Sequence, residues 1–228
     1  MINWLTYAGV LIVSYLLGAI PSGLLVVKLT TGKDVRTIES GRTGGTNAMR
    51  AAGFWAGLAT AIFDILKSAL AVRLAVLAAP QVPWLHILAP VAAVIGHNYS
   101  IYLTERDERG KLRLRGGAGG APAAGGAMGL WWPSVFIIVP MGFALVFGVG
   151  YASVATMSVG VVSILIFSAR AALGLSPWTY VWYGLLVEIL LVWALRPNIK
   201  RLINGTERLV GWRAKRQERK KQHVNGNA

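Results

Sequence analysis

Residues 4 to about 27 carry no charged side chain. A run of roughly 20 apolar residues matches the thickness of bilayer hydrocarbon, and it limits the chain to folds that present apolar helix surface on every side. Further apolar segments follow at about 51–77, 84–103, 121–131, 135–149, 151–169 and 178–195. The composition agrees: 55% hydrophobic against 14% charged residues cannot dress an ordinary soluble surface. The expected fold is an all-α polytopic membrane protein with seven transmembrane helices over residues 1–205, then a basic cytoplasmic tail, 206–228, expected to be disordered. With no cysteine, disulfide scaffolds, thiolate metal sites and cysteine nucleophiles are excluded.

Polar groups inside the apolar segments must find partners in protein. Gly18, Pro21 and Gly23 interrupt the first segment, and carbonyls freed at such a break have no water to turn to. Lys28 and Lys33 follow the apolar run and no small-residue cleavage site does, so the segment is not expected to be a cleaved signal peptide. Asp64 and Lys67, three residues apart, share one face of the second segment. They are expected to face the bundle interior, as an orienting ion pair or as part of a site. Glu188 lies inside the seventh segment. The fourth segment is short and rich in glycine and alanine, which suits close helix packing.

Two glycine-rich strips stand out in the loops. The first is Ser40-Gly41-Arg42-Thr43-Gly44-Gly45-Thr46-Asn47, with Arg50 one turn later. The second is Arg115-Gly116-Gly117-Ala118-Gly119-Gly120. Glycines let successive N–H groups converge, hydroxyls and amides add donors, and arginines add charge: the parts of an oxyanion or phosphate cradle. The bland alternative is a loop between membrane helices, where these residue types are common. Neither strip is a Walker loop or a dinucleotide fingerprint. His97 and Asn98 end the third segment and open into the second strip, as helix caps or as site residues. Three scattered histidines give no metal-ligand cluster, and no metal or cofactor is expected.

The net charge of +14 suggests nucleic acid until its distribution is read. Of the 23 Lys and Arg, all but Lys67, Arg73 and Arg170 fall before residue 51, in the loop after the third segment, or beyond residue 195. Under the positive-inside bias those stretches are cytoplasmic, which puts the N-terminus outside and the C-terminus inside. A basic juxtamembrane tail beside anionic lipid explains the charge without nucleic acid.

The ordered motifs resemble those of the bacterial acyl-phosphate:glycerol-3-phosphate acyltransferases, the PlsY family, along nearly the whole chain. Gly18, Ile20-Pro21 and Gly23 are similar to the end of that family's first helix. Ser40 to Asn47 with Arg50, Asp64 and Lys67, Gly96-His97-Asn98, the Gly116-Gly117-x-Gly119 strip, Tyr151, Ser153 and Thr156, and Arg196-x-Asn198-Ile199-x-Arg201 with Gly205-Thr206-Glu207 match in order. Four positions depart: Arg42 stands where the family has asparagine, Ala118 where it has lysine, Pro122 where it has threonine, and Leu195 where it has histidine. The resemblance implies acyl transfer from acyl phosphate to the 1-hydroxyl of sn-glycerol 3-phosphate at the bacterial plasma membrane, with membrane lipids as surroundings. It implies His97 and Asn98 as catalytic residues. The substrate and phosphate site would comprise Ser40, Arg42, Thr43, Gly44, Thr46, Asn47, Arg50, Arg115, Gly116, Gly117, Gly119, Ser153, Arg196 and Asn198. Competing readings are a non-catalytic relative that binds anionic lipid and a channel or transporter, although no inverted repeat is visible.

Overall fold

The computed structural model describes residues 4–106, 110–214 and 216. Its α-helices of eight or more residues are α1 (Trp4–Ala19), α2 (Ser22–Thr31), α3 (Gly45–Ala52), α4 (Phe54–Ala78), α5 (Pro83–Asn98), α6 (Gly120–Leu130), α7 (Val135–Gly148), α8 (Ala152–Ala172) and α9 (Thr179–Ile203). A two-stranded antiparallel hairpin, β1 (Thr104–Arg106) and β2 (Leu112–Leu114), pairs Glu105 opposite Arg113. The expected break in the first segment falls at Ile20-Pro21, between α1 and α2.

The helices alternate in direction, so α1, α5, α7 and α9 end, and α4, α6 and α8 begin, at one end of the bundle. At that end the Tyr15 hydroxyl donates to the Tyr99 carbonyl (2.8 Å), and Gly120 packs against Thr156. At the other end the Arg170 guanidinium lies 4.2 Å from the Trp131 ring centre, and His86 donates from Nε2 to the Ala79 carbonyl while its Nδ1 accepts from the Tyr180 hydroxyl. Both glycine strips, the hairpin and the described part of the tail lie at the first end.

By length and composition, three apolar helical stretches can each cross a membrane: Trp4–Thr31, Ala152–Ala172 and Thr179–Ile203. The seven expected spans are therefore not all met by that criterion. α4 is 25 residues long but carries Asp64, Lys67 and Arg73. α6, with 11 residues, is about 16 Å long at 1.5 Å per residue.

What α6 lacks in length it gives in packing. A Cβ at Gly125 would lie 2.1 Å from the Ile65 carbonyl oxygen of α4, and at Gly126 2.2 Å from the Tyr183 hydroxyl of α9. That hydroxyl donates to the Ala123 carbonyl at 2.6 Å. The main core gathers around α6, with Ile87, Val91 and Val94 of α5, Phe167 of α8, and Val187 and Leu191 of α9. The α1–α5 crossing is equally close, Gly18 lying against the Ala93 backbone and Gly96 against that of Tyr15. Backbones that approach this closely gain dispersion contacts, the principal attraction between helices where the surroundings are as apolar as the side chains.

The tail differs from expectation over its described part. Glu207 is held by three side chains, the Val210 N–H donates to the Gly150 carbonyl (2.9 Å), and Trp212 and Arg213 donate to the Phe147 and Val149 carbonyls. These contacts satisfy carbonyls left open where α7 ends. Residues 206–214 are thus part of the bundle, and 217–228 lie outside the described residues.

Gly125→Ala is expected to destabilise by about 1–3 kcal/mol, because the methyl meets backbone that cannot step aside. Gly9→Ala, with nothing within 4 Å of its Cβ, serves as the control and should melt no lower than the parent. Thermal unfolding in detergent distinguishes them.

Candidate active site

The site is built on a buried polar knot. Lys67 of α4 donates to the Ile20 carbonyl at 2.9 Å, forms an ion pair with Asp64 Oδ1 at 2.8 Å and lies 3.1 Å from His97 Nδ1. Asp64 is fully buried, and Lys67 and His97 are 7% and 5% exposed. The pair faces inward as expected and ties α4 to the turn after α1 and to α5. The Ile20 carbonyl lies at the turn between α1 and α2, where it also accepts from the Ser22 N–H at 3.0 Å. His97 Nδ1 also lies 3.4 Å from Asp64 Oδ1, and its Nε2 edge faces Gly117, where a Cβ would come within 1.9 Å. The second glycine strip therefore rests directly on His97. The Gly117 N–H donates to the His97 carbonyl (2.9 Å), and Gly116 touches the carbonyls of His97 and Asn98.

The two strips meet as the cradle reading requires. The Thr43 N–H donates to the Gly116 carbonyl at 3.3 Å, and a Cβ at Gly41 would lie 3.3 Å from Arg115 Nη1. Gly23 of α2 presses on the Thr43 carbonyl from the other side, which fixes the buried Thr43. Gly44 caps α3 with open space beside its Cα, and Ser40 and Thr46 are exposed on either side. Gly119, at φ 93°, starts α6 in a backbone conformation that a side chain would strain. Asn98 lies beneath it, buried, with both amide atoms lacking a hydrogen-bond partner among the described residues. A buried amide in that state is a group waiting for a ligand or water.

Other expected site residues are engaged with protein. Asn47 Nδ2 lies 2.9 Å from the carbonyls of Val35, Ile38 and Arg42, so its donor end ties the first strip together. Ser153 and Asn198 both donate to Glu207 Oε1, at 3.3 and 2.7 Å, and Arg201 holds Oε2 at 2.9 Å. Arg115 is paired with Glu105 at 2.6 Å, and Arg196 folds over Trp193. Asn47, Ser153, Asn198, Arg115 and Arg196 thus bond to protein groups that frame the site. Arg50 is exposed in the last turn of α3 and makes no ion pair among the described residues. Arg42 donates from Nη2 to the Ala194 carbonyl of α9 at 2.7 Å. Burial pushes the Arg42 guanidinium below its ordinary pKa, with Arg201 acting the same way and Glu207 and Tyr99 opposing it.

Two carboxylates escaped the sequence reading as site organisers. Glu105 joins Arg36 (2.9 Å) and Arg115, linking the hairpin to the first strip, while Asp34 fastens Arg36 from within the loop. The side-chain bond from Arg36 holds the Asp34 carboxyl below its usual value, against an opposing effect of burial. Glu207 gathers α8, α9 and the tail. Its signal was present: an acid within six residues of Arg201 and adjacent to Arg208 at the end of the last apolar segment.

Removing Lys67 alone should be costly, since Lys67→Met strands a buried carboxylate; a loss of about 3–5 kcal/mol is expected. Asp64→Asn with Lys67→Met should recover part of that loss. Equal melting temperatures for parent and single variant would show that the knot carries no stability.

Comparison with known proteins places this arrangement. A family model described as glycerol-3-phosphate acyltransferase matches residues 8–205. A glycerol-3-phosphate acyltransferase of Thermus thermophilus is 37% identical over 204 residues, covering 90% of this chain and 95% of that protein. One from Gloeobacter violaceus is 34% identical, covering 92% and 97%. Two crystal structures of PlsY (YgiH), an integral membrane glycerol 3-phosphate acyltransferase, superpose with TM-scores of 0.76 and 0.73 at 26% identity. Each covers 90% of this chain; one is the glycerol 3-phosphate form and the other the lysophosphatidic acid form.

Proposed function

The chain belongs to the glycerol-3-phosphate acyltransferase family, and we propose that it transfers an acyl chain from acyl phosphate to the 1-hydroxyl of sn-glycerol 3-phosphate, giving lysophosphatidic acid and phosphate. It is a membrane enzyme that acylates glycerol 3-phosphate for phospholipid synthesis, as the family match over residues 8–205 and the relatives covering nine-tenths of the chain establish. The acyl phosphate donor is our reading. The observation that carries it is the contact between the two glycine strips beside Arg42, which forms one donor-rich surface at the end of an apolar bundle.

That layout suits a substrate with an anionic head and a lipid tail. The head is held by backbone N–H groups and cations at the surface, and the tail remains among helices. In the reaction the hydroxyl oxygen attacks the acyl carbonyl carbon, the bond from that carbon to the phosphate oxygen breaks, and the hydroxyl proton is released with the phosphate. Phosphate leaves readily, so the protein need supply no covalent nucleophile. Catalysis then rests on holding two anionic substrates in contact and stabilising the developing oxyanion. We assign substrate contacts to Ser40, Arg42, Gly44, Thr46, Arg50, Gly116, Gly117 and Gly119. Asn98 is assigned to the reacting groups, while His97 positions the strip from below and Thr43 joins the two loops.

The same reading has seven membrane-crossing segments, α1 together with α2, then α4 to α9 except that α6 crosses with its flanking turns. The N-terminus is outside and the site faces the cytoplasm of a bacterial plasma membrane. The alternating helix directions and the gathering of basic residues at one end support it. Reporter fusions at Arg115 and after Leu202 should both read cytoplasmic; an external signal at either would separate the strips from the tail and end this topology.

Purified protein given acyl phosphate and glycerol 3-phosphate should produce lysophosphatidic acid. Arg50→Ala should retain its melting temperature and lose at least tenfold in turnover, about 1.4 kcal/mol in the barrier. A parent that makes no product would favour a non-catalytic lipid-binding relative.

A further inference from the structure

The arginines at the loop end of the bundle are mostly committed. Arg36 holds Asp34 and Glu105, Arg115 holds Glu105, Arg201 holds Glu207, and Arg208 holds Glu39. The Arg196 guanidinium carbon lies 3.3 Å from the Trp193 ring centre while its Nε donates to the Trp193 carbonyl. Arg42 differs from all of these. Half-buried, it holds no carboxylate among the described residues, and only its Nη2 is engaged, on a neutral carbonyl of α9. A guanidinium has five N–H donors, so four are without a partner there.

Its placement is also fixed from several sides. The Arg42 carbonyl accepts from Asn47 Nδ2 at 2.9 Å, the next residue bonds to Gly116, and the guanidinium is tied to Ala194. The cation is therefore held between the first strip, the second strip and α9 before any ligand arrives. A partly buried charge with a planar fork of free donors is suited to one chemical class above others, a phosphate monoester dianion bound by paired N–H groups. Lysine could supply the charge but not the fork.

We infer that Arg42 is a specificity-determining residue that selects a phosphate dianion over uncharged analogues. The dianion belongs either to glycerol 3-phosphate or to the acyl phosphate head. The inference rests on the acyl-transfer reading for the identity of the ligand, but its binding chemistry can be measured without turnover.

The test uses full-length protein in lipid nanodiscs and inorganic phosphate as the probe. Phosphate should raise the melting temperature of the parent and of Arg106→Gln, a hairpin variant that loses one charge away from the strips. Arg42→Gln should lose that response. In kinetics, Arg42→Gln should raise KM at least tenfold for glycerol 3-phosphate if the acceptor's phosphate is the ligand. A tenfold rise in KM for acyl phosphate instead would assign the donor's head. A parental phosphate response in Arg42→Gln with both KM values unchanged would overturn the inference, as would a parent that shows no response. If Arg42→Gln melts early even without phosphate, Arg42→Lys carries the test, with a normal fold and a weakened response expected. An Arg42→Lys variant that melts equally early makes the residue a structural tie to α9 and defeats the proposal. An inactive parent that still responds to phosphate through Arg42 would overturn the acyl-transfer reading and leave the binding site standing.

Discussion

The Lys67 ammonium is the interaction on which the rest of the structure depends. An ammonium inside an apolar bundle is costly unless it is paired and hydrogen-bonded. Lys67 gives the Ile20 carbonyl a charge-assisted donor beside the Ser22 N–H, its charge is paired with Asp64, and it lies against His97 Nδ1. The three groups join α1, α4 and α5 at the depth where the loops begin. Because the second glycine strip lies on the His97 ring, the placement of that strip follows from the knot, and the first strip follows from the second through Thr43 and Gly116.

Glycine serves two different ends in this chain. In the helices it removes bulk: Gly18, Gly96, Gly125 and Gly126 let backbone or side chains of neighbours come where a methyl group would collide. In the strips it also removes bulk against α5, and at Gly119 it permits a left-handed start to α6. Close packing in the bundle and close approach of the loops to His97 and Asn98 are thus one device used twice. The short α6 shows the consequence, since it lies in the middle of the largest core despite having no large apolar side chain facing its neighbours before Leu130.

Around the strips the charges sort into a frame and a remainder. Glu105 and Glu207 each bind more than one partner and draw the hairpin, α8, α9 and the tail into a rim of paired arginines. Pairing fixes those arginines in place and lowers their availability to an anion. Arg42 and Arg50, beside the strips, are among the arginines without a carboxylate among the described residues, one half-buried and one exposed. A site that must hold glycerol 3-phosphate needs such uncommitted cations.

The sequence by itself determined the class of fold, the break at Pro21, the inward facing of Asp64 and Lys67, the packing role of the fourth segment and the two strips as one chemical type. Each follows from local rules: apolar run length, the missing proline donor, helical spacing and the cost of charge in hydrocarbon. The family resemblance was equally legible, because its motifs occur in order along nearly the whole chain. Which protein groups engage the polar side chains was decided only by the tertiary structure. Asn47, Ser153 and Asn198 have the right donors for a cradle, yet they are spent on Val35, Ile38, Arg42 and Glu207, partners up to 54 residues away in the chain. A donor's availability depends on what long-range folding brings beside it, and spacing along one chain contains no measure of that distance.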